Sequence, residues 1–204
     1  MKSKIKLIIF DGYGVVLSRG YPDTVDTLAK MNTGISRKRL FEILYLDHFN
    51  SAAEHKISQK RAWQLSAKEF KIMNWYGLRD LHLGLISINR PVFQLAKRLR
   101  KKYATLMLSK NTRSQMVACK KRFPHVWQSF DLVLNTWEFK LTKTSPETFR
   151  IICKKFKVKP TEIVFIDDQK VNLLQAKKLG IKTIYYRNFK QFKKELGTFV
   201  DLKS

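Results

Sequence analysis

The stretch IIFDGYGVVL, residues 8 to 17, constrains the fold of this chain more than any other. A short apolar run rich in β-branched residues stops at the carboxylate of Asp11 and meets Gly12 and Gly14 directly afterwards. That is the pattern of a buried strand that turns sharply at its carboxyl end. In an open parallel sheet this edge is where ligands bind, so Asp11 stands where chemistry is done.

The remainder of the chain specifies the sheet. From Ser18 to Asn89 it is rich in helical patterns and poor in strand-like runs: DTVDTLAKM, SRKRLFEILY and SQKRAWQLSAKEFKIM, the last with Ser58 as an N-cap. This segment reads as a compact helical insertion. From Arg90 onward helix and strand alternate. PVFQLAKRLRKK starts on Pro91 and repeats Val92, Leu95, Ala96 and Leu99 on one face, and YATLML is the next strand, ending at Ser109. RSQMVACKKRF is a helix and FDLVLNT a strand. SPETFRIICKKF is a helix with Ser145 as N-cap and Pro146 at its first position. EIVFIDD is a strand, VNLLQAKKLG a helix ended by Gly180, and IKTIYY a last strand. Such alternation predicts a parallel α/β sheet flanked by helices, because parallel neighbours need a right-handed crossover between them.

With 204 residues, 44% apolar and 12% aromatic, the chain can bury one core and carry a sizeable insertion. No apolar stretch approaches the roughly 20 residues of a membrane span. The apolar part of MKSKIKLIIF is also too short for a secretory signal, so a cytoplasmic protein without a membrane partner is expected. Cys119 and Cys153 lie in Lys-rich helical patterns without ligand spacing, as core or flank residues of a reducing compartment. The 41 Lys+Arg against 16 Asp+Glu give a formal charge of +25, a field that attracts anions. Phosphate contacts alone would let such a chain hold nucleic acid. The basic residues, however, are spread over nearly every predicted helix, as in RLRKK, KKR and KKFKVK, so solvated helix faces are favoured over a nucleic-acid surface. A small phosphorylated substrate gains from the same field.

Asp11, Ser109 and the pair Asp167/Asp168 each come directly after a predicted strand, and Lys143 precedes the helix that starts at Pro146. A hydroxyl, a lysine and several carboxylates at one sheet edge suit Mg²⁺ and a phosphate. The metal takes oxygen ligands, and it relieves the repulsion of adjacent carboxylates. Lys143 and Ser109 are then positioned for the phosphoryl oxygens. Taken singly, Ser109 also reads as a helix cap, Lys143 as a surface lysine and Asn172 as a solvated helix residue. Trp63, Phe70, Trp75 and Tyr76 read as a small core of the insertion, and the four histidines receive no role.

Four motifs in order resemble those of the haloacid dehalogenase (HAD) superfamily of the helical-cap type: IIFDGYG, LMLS with KNT after it, KTSPETF, and VFIDDQKVN with AKKLG. The resemblance implies a three-layer Rossmann-like core from residues 1–17 and 90–204 and a helical cap from 18–89. It also implies Asp11 as a nucleophile forming an aspartyl-phosphate, with Ser109 and Lys143 positioning the transferring group. Asp11, Asp167, Asp168 and the backbone carbonyl of Tyr13 are implied as Mg²⁺ ligands. Asn172 is implied as a partner that orients Asp168, with Asn111 of KNT as a further supporting residue.

Tyr13 departs from the phosphatase pattern, in which a second Asp two residues after the nucleophile protonates the leaving alcohol. A phenol with a pKa near ~10 is a poor acid at neutral pH, and such assistance is worth about 10²–10⁴ in rate. The dehalogenases carry Asp-x-Tyr at this place, so a 2-haloacid dehalogenase-like hydrolase is an alternative; against it stands the doubly acidic fourth motif. Val15 replaces a usual Thr. A third alternative is a non-catalytic descendant that binds an anion or nucleic acid. The sequence leaves substrate and oligomeric state open.

Overall fold

Every residue of β1 (Leu7–Asp11) is buried, because helices cover both faces of the strand. The computed structural model describes residues 4–31, 34–71 and 73–202. Residues 1–3, 32, 33, 72, 203 and 204, which the expected core and cap ranges include, lie outside the described residues. Between β1 and β2 (Ala104–Ser109) the chain forms α1 (Tyr21–Lys30), α2 (Arg37–Phe41), α3 (Asn50–Ala53), α4 (Gln59–Phe70), α5 (Trp75–Leu85) and α6 (Arg90–Leu99). A π-helical segment, Glu42–Phe49, joins α2 to α3. Then α7 (Arg113–Arg122) and α8 (Pro124–Gln128) lead to β3 (Leu132–Asn135), and α9 (Pro146–Phe156) leads to β4 (Ile163–Asp167). Finally α10 (Lys170–Lys178) leads to β5 (Lys182–Tyr185), and the chain continues into α11 (Phe189–Leu196).

The sheet order is β3-β2-β1-β4-β5, all pairs parallel, so the fold is a three-layer α/β sandwich of the Rossmann-like kind. Successive side chains of a strand face opposite layers. Ile8 and Phe10 join the layer built on Val92, Leu95 and Phe192. Leu7 and Ile9 join the layer built on Phe149, Ile152 and Leu173. The same parity puts Asp11 and Asp167 on the side of α9 and α10, and the pairing of Phe10 with Ile166 sets their strand tips side by side. β1 lies where the strand order reverses, the crevice in which such sheets bind ligands.

The helices between Tyr21 and Leu85 have an apolar cluster of their own, including Val25, Leu28, Leu44, Trp63, Phe70 and Leu78. Leu17 and Ile88 bridge where the chain leaves the sheet and returns. Above them a buried polar network ties these helices to the sheet layer. Gln115 of α7 accepts from the Tyr21 hydroxyl at 3.0 Å and from the Gln59 amide at 2.9 Å. It donates to His82 Nε2 at 2.7 Å, which leaves Nδ1 to donate to the Thr24 hydroxyl at 2.8 Å.

Several details differ from expectation. Ser58 caps α4 through the amide of Arg61, as its position predicts, whereas Ser145 stands at the N-cap of α9 without a side-chain cap bond. The periodicity of SRKRLFEILY runs into the π-helical turns, which an apolar pattern does not distinguish from α-helix. Trp63 and Phe70 are core, but Tyr76 is 52% exposed and stacks on Trp75 at the surface. Val15 points into the sheet layer and not toward a substrate.

His82 is fully buried against the rings of Tyr21 and Trp63, and burial lowers its pKa from 6.5 to about 3. The unfolded chain therefore binds a proton that the folded one excludes. The stabilisation from His82 is complete above the unfolded value and falls by about 1.4 kcal/mol per pH unit below it. His82→Gln is expected to flatten the loss of thermal stability on acidification from neutral to about pH 4.5. Equal slopes for the two proteins would show that the transition titrates elsewhere.

Candidate active site

Three strand tips and two loops build the floor of a cavity of about 530 Å³ between the sheet edge and the helices inserted after β1. Asp11, Tyr13, Ser109, Asn111, Lys143, Asp168 and Asn172 all line it. Asp167 lies just beneath, fully buried at the end of β4. One oxygen from each of Asp11, Asp167 and Asp168 falls within 4.8 Å of the others.

Lys143 reaches this cluster from the loop before α9, and only 6% of the residue is exposed. Its ammonium pairs with Asp11 Oδ1 and, at 3.0 Å, with Asp167 Oδ2. Burial works against the ammonium, but the two carboxylates outweigh it and hold the lysine well above its ordinary pKa. Asp11 is pushed well above the carboxylate range, first by burial and then by Asp167, with Lys143 pulling the other way. Burial and Asp167 also raise Asp168, to about 6. Two or three carboxylates in one dry site repel one another more than a single ammonium offsets.

The turn after β1 is shaped around Asp168. Gly14 has φ 88°, and a Cβ there would collide with the Asp168 carboxylate, so both conformation and space require glycine. Asp168 Oδ1 is buried without a hydrogen-bond partner. Asp167 is instead saturated: Asn172 Nδ2 donates to both its oxygens, at 3.0 and 3.1 Å, and the Gln169 amide donates at 2.8 Å. This corrects the expectation for Asn172, which holds Asp167 and not Asp168. The helix of Asn172 starts at Lys170, and its first turn faces back to the strand end.

Tyr13 lines the cavity, but its hydroxyl is engaged with Cys119 Sγ at 2.8 Å and with the Gln115 amide at 3.4 Å. Burial, and then Cys119, push its pKa well above the ordinary tyrosine value. Asn111 stands in a clamp: Asn135 at the tip of β3 accepts from its backbone amide at 2.9 Å and donates to its carbonyl at 2.7 Å. The Asn111 side chain accepts from the amide of Thr112, the residue that opens α7.

Sequence reasoning did not single out Asn135, Lys110, Gln115 or Gln169, and it gave Cys119 only as a core or flank residue, which its burial bears out. Asn135 ends its strand level with Ser109, its register partner, so the rule that polar residues at strand tips line the site would have found it. Lys110 adds a second half-buried lysine to the cavity wall; burial lowers its pKa, and Lys143 adds to that. The aromatic residues Phe41, Tyr45 and Phe49, spaced four apart, line the same cavity.

Residues 5–180 match the profile of the haloacid dehalogenase-like hydrolases. The chain is 30% identical over 116 residues to bifunctional epoxide hydrolase 2 of Rattus norvegicus, a match of 54% of this chain but only 21% of the rat protein. It is 25% identical over 210 residues to D-ribitol-5-phosphate phosphatase of Bacteroides thetaiotaomicron, spanning 97% of this chain and 99% of that one. The fold superposes with TM-score 0.71 and 23% identity on a HAD family enzyme of B. thetaiotaomicron solved with magnesium and inorganic phosphate, over 90% of this chain and 94% of that one. With the profile match running from the start of the sheet through α10, this chain belongs to the haloacid dehalogenase-like hydrolase family.

Proposed function

We propose that the chain is a Mg²⁺-dependent phosphohydrolase acting on a small phosphorylated metabolite through an aspartyl-phosphate on Asp11. The observation that carries this reading is the carboxylate triad: Asp11, Asp167 and Asp168 within 4.8 Å, with Asp168 Oδ1 buried and unpartnered at the cavity floor. A divalent cation fits that donor set of hard oxygens, and Gly14 keeps the space beside Asp168 clear of a side chain. Asp11, Asp167, Asp168 and the backbone carbonyl of Tyr13 are the residues that would hold it. When bound, it would neutralise charge on the transferring phosphoryl oxygens.

The chain's own groups carry the remaining tasks. Lys143, paired with Asp11, favours the ionised form of the nucleophile against burial and Asp167, and can bind a phosphoryl oxygen. Ser109 stands beside Gly12 at the cavity floor, where its hydroxyl can orient the phosphate. Asn172 steadies Asp167, and the Asn135 clamp on Asn111 fixes the loop that presents Ser109 and Lys110. The helices from Tyr21 to Leu85 act as the cap that closes the cavity. The full-length likeness to D-ribitol-5-phosphate phosphatase and the magnesium and phosphate held by a structural neighbour support the same chemistry.

Tyr13 favours a restriction on that chemistry. Its hydroxyl serves Cys119 and Gln115 and its proton is held tightly, so no acid stands at this position to protonate a leaving alcohol. The same residue favours the second reading, a 2-haloacid dehalogenase-like hydrolase, since halide leaves without a proton. Halide release from a 2-haloacid that persists in chelator would replace the first reading by the second.

Saturating Mg²⁺ is expected to raise the unfolding midpoint by about 5–10 °C in a chain of this size. Asp168→Asn should abolish that shift. A wild-type midpoint indifferent to Mg²⁺ would remove the cation from the mechanism. Asp11→Asn is expected to reduce hydrolysis of 4-nitrophenyl phosphate by at least about a thousandfold; an undiminished rate would end the nucleophile assignment. Tyr13→Asp is expected to raise turnover of alkyl phosphates relative to aryl phosphates by about 10- to 100-fold. An unchanged ratio would mean that position 13 does not limit leaving-group protonation.

A further inference from the structure

Part of the cavity lining is aromatic, and its rings are packed on one another. Phe41 and Tyr45 stack at 5.1 Å between centroids and 26° between planes, and Tyr45 and Phe49 at 5.3 Å and 17°. Tyr21 packs against the end of the stack, 4.3 Å from Phe49 and tilted by 42°. The ladder depends on the π-helical turns, in which the Asn50 amide donates to the Tyr45 carbonyl five residues back. Widening the turn beyond 3.6 residues counteracts the drift of side chains spaced four apart, so three rings stay in line along one face. Tyr45 also comes near the catalytic floor, where the Gln169 side chain and the charges of Lys143, Asp11 and Asp168 act on its hydroxyl.

A polyol phosphate seated here would turn hydroxyls toward aromatic carbon, where of the three rungs only Tyr45 carries a polar group, which disfavours its binding. A planar group would gain offset stacking on the same rings. Position 13 imposes an independent demand, because a leaving group must depart without a proton donor there. A phenolate, with a conjugate-acid pKa near ~10, satisfies it far better than an alkoxide.

Resting on the reading of the chain as a phosphohydrolase, we propose that the substrate is an aryl phosphate whose ring packs on the Phe41–Tyr45–Phe49 ladder while its phosphoryl group meets Asp11. An Asp11 carboxylate oxygen forms a bond to phosphorus as the bond between phosphorus and the ring oxygen breaks. The ring oxygen keeps the electron pair, leaves as a phenolate and takes its proton from solvent. Water then hydrolyses the aspartyl-phosphate to free phosphate.

Four probes separate ring recognition from leaving-group quality: phenyl phosphate has both, benzyl phosphate only the ring, acetyl phosphate only the good leaving group, and butyl phosphate neither. The expected pattern is a KM at least about tenfold lower for the two ring-bearing probes, and a kcat at least about a hundredfold higher for phenyl and acetyl phosphate. Tyr45→Leu should raise the ratio of phenyl to acetyl KM by about two- to tenfold, and Tyr45→Phe, which keeps the ring, should restore it. If Tyr45→Leu does not fold, Phe41→Leu at the cavity rim is read for the same ratio. A KM indifferent to the ring, or a ratio unmoved by losing an aromatic rung, overturns the proposal while leaving phosphoryl transfer in place. Failure of Asp11-dependent turnover on all four probes overturns both.

Discussion

The rest of the structure depends on an electrostatic conflict at one sheet edge. Three carboxylates meet a single buried ammonium, Lys143, in a place that water barely reaches. Desolvating each charge costs several kcal/mol, and an arrangement with more negative than positive groups is not one that packing alone would select. The fold can hold it because the strands behind it are apolar on both faces, with β1 and β4 buried along their whole length. Parity brings Asp11 and Asp167 to the side of α9 and α10, where Lys143 and Asn172 meet them. Asp167 is satisfied by that meeting. Asp168 is not: one of its oxygens is buried without a hydrogen-bond partner beside the other carboxylates.

Position 13 shows how one substitution couples chemistry to architecture. A short acid there would stand free in the site, whereas the tyrosine reaches past it to Cys119 and Gln115. Through Gln115 it joins the network of Tyr21, His82 and Thr24 that seats the inserted helices on the sheet layer. Each member of that network is buried, so a break at any point would leave a polar group without a partner at a cost of about 1–3 kcal/mol. The side chain that puts a phenol where a carboxylate could stand thus adds a contact to the docking of the helices above it.

Much of this was legible in the sequence. Strands ending in Asp11, Ser109 and Asp167 could be read because an apolar run that stops at a polar residue is a local pattern, and local patterns survive without coordinates. Lys143 was legible from its place before a Pro-initiated helix. The partner of Asn172 was not, since an Asn early in a helix can turn to either of two adjacent carboxylates, and only the exit angle of the chain from β4 decides that it is Asp167. Nor was the network around Gln115 legible, because its members stand as far apart in sequence as Tyr13 and Cys119 and share no spacing. The π-helical segment was hidden for another reason: its apolar residues recur at intervals that an α-helix also tolerates.

The aromatic ladder and the carboxylate edge line one cavity, and each makes sense of the other. Rings exclude water, and excluding water strengthens every charge interaction at the floor. The same exclusion penalises substrates that carry their own hydroxyls to that wall. A chain with a formal charge of +25 attracts phosphates of many kinds from solution, so its overall field selects little beyond the sign of charge. Discrimination has to come from short-range contacts inside the cavity, and Phe41, Tyr45 and Phe49 supply aromatic ones. On the proposed reading, the long-range field would govern encounter, the triad would govern reaction, and the rings of the π-helical segment would govern which encountered phosphate stays long enough to react.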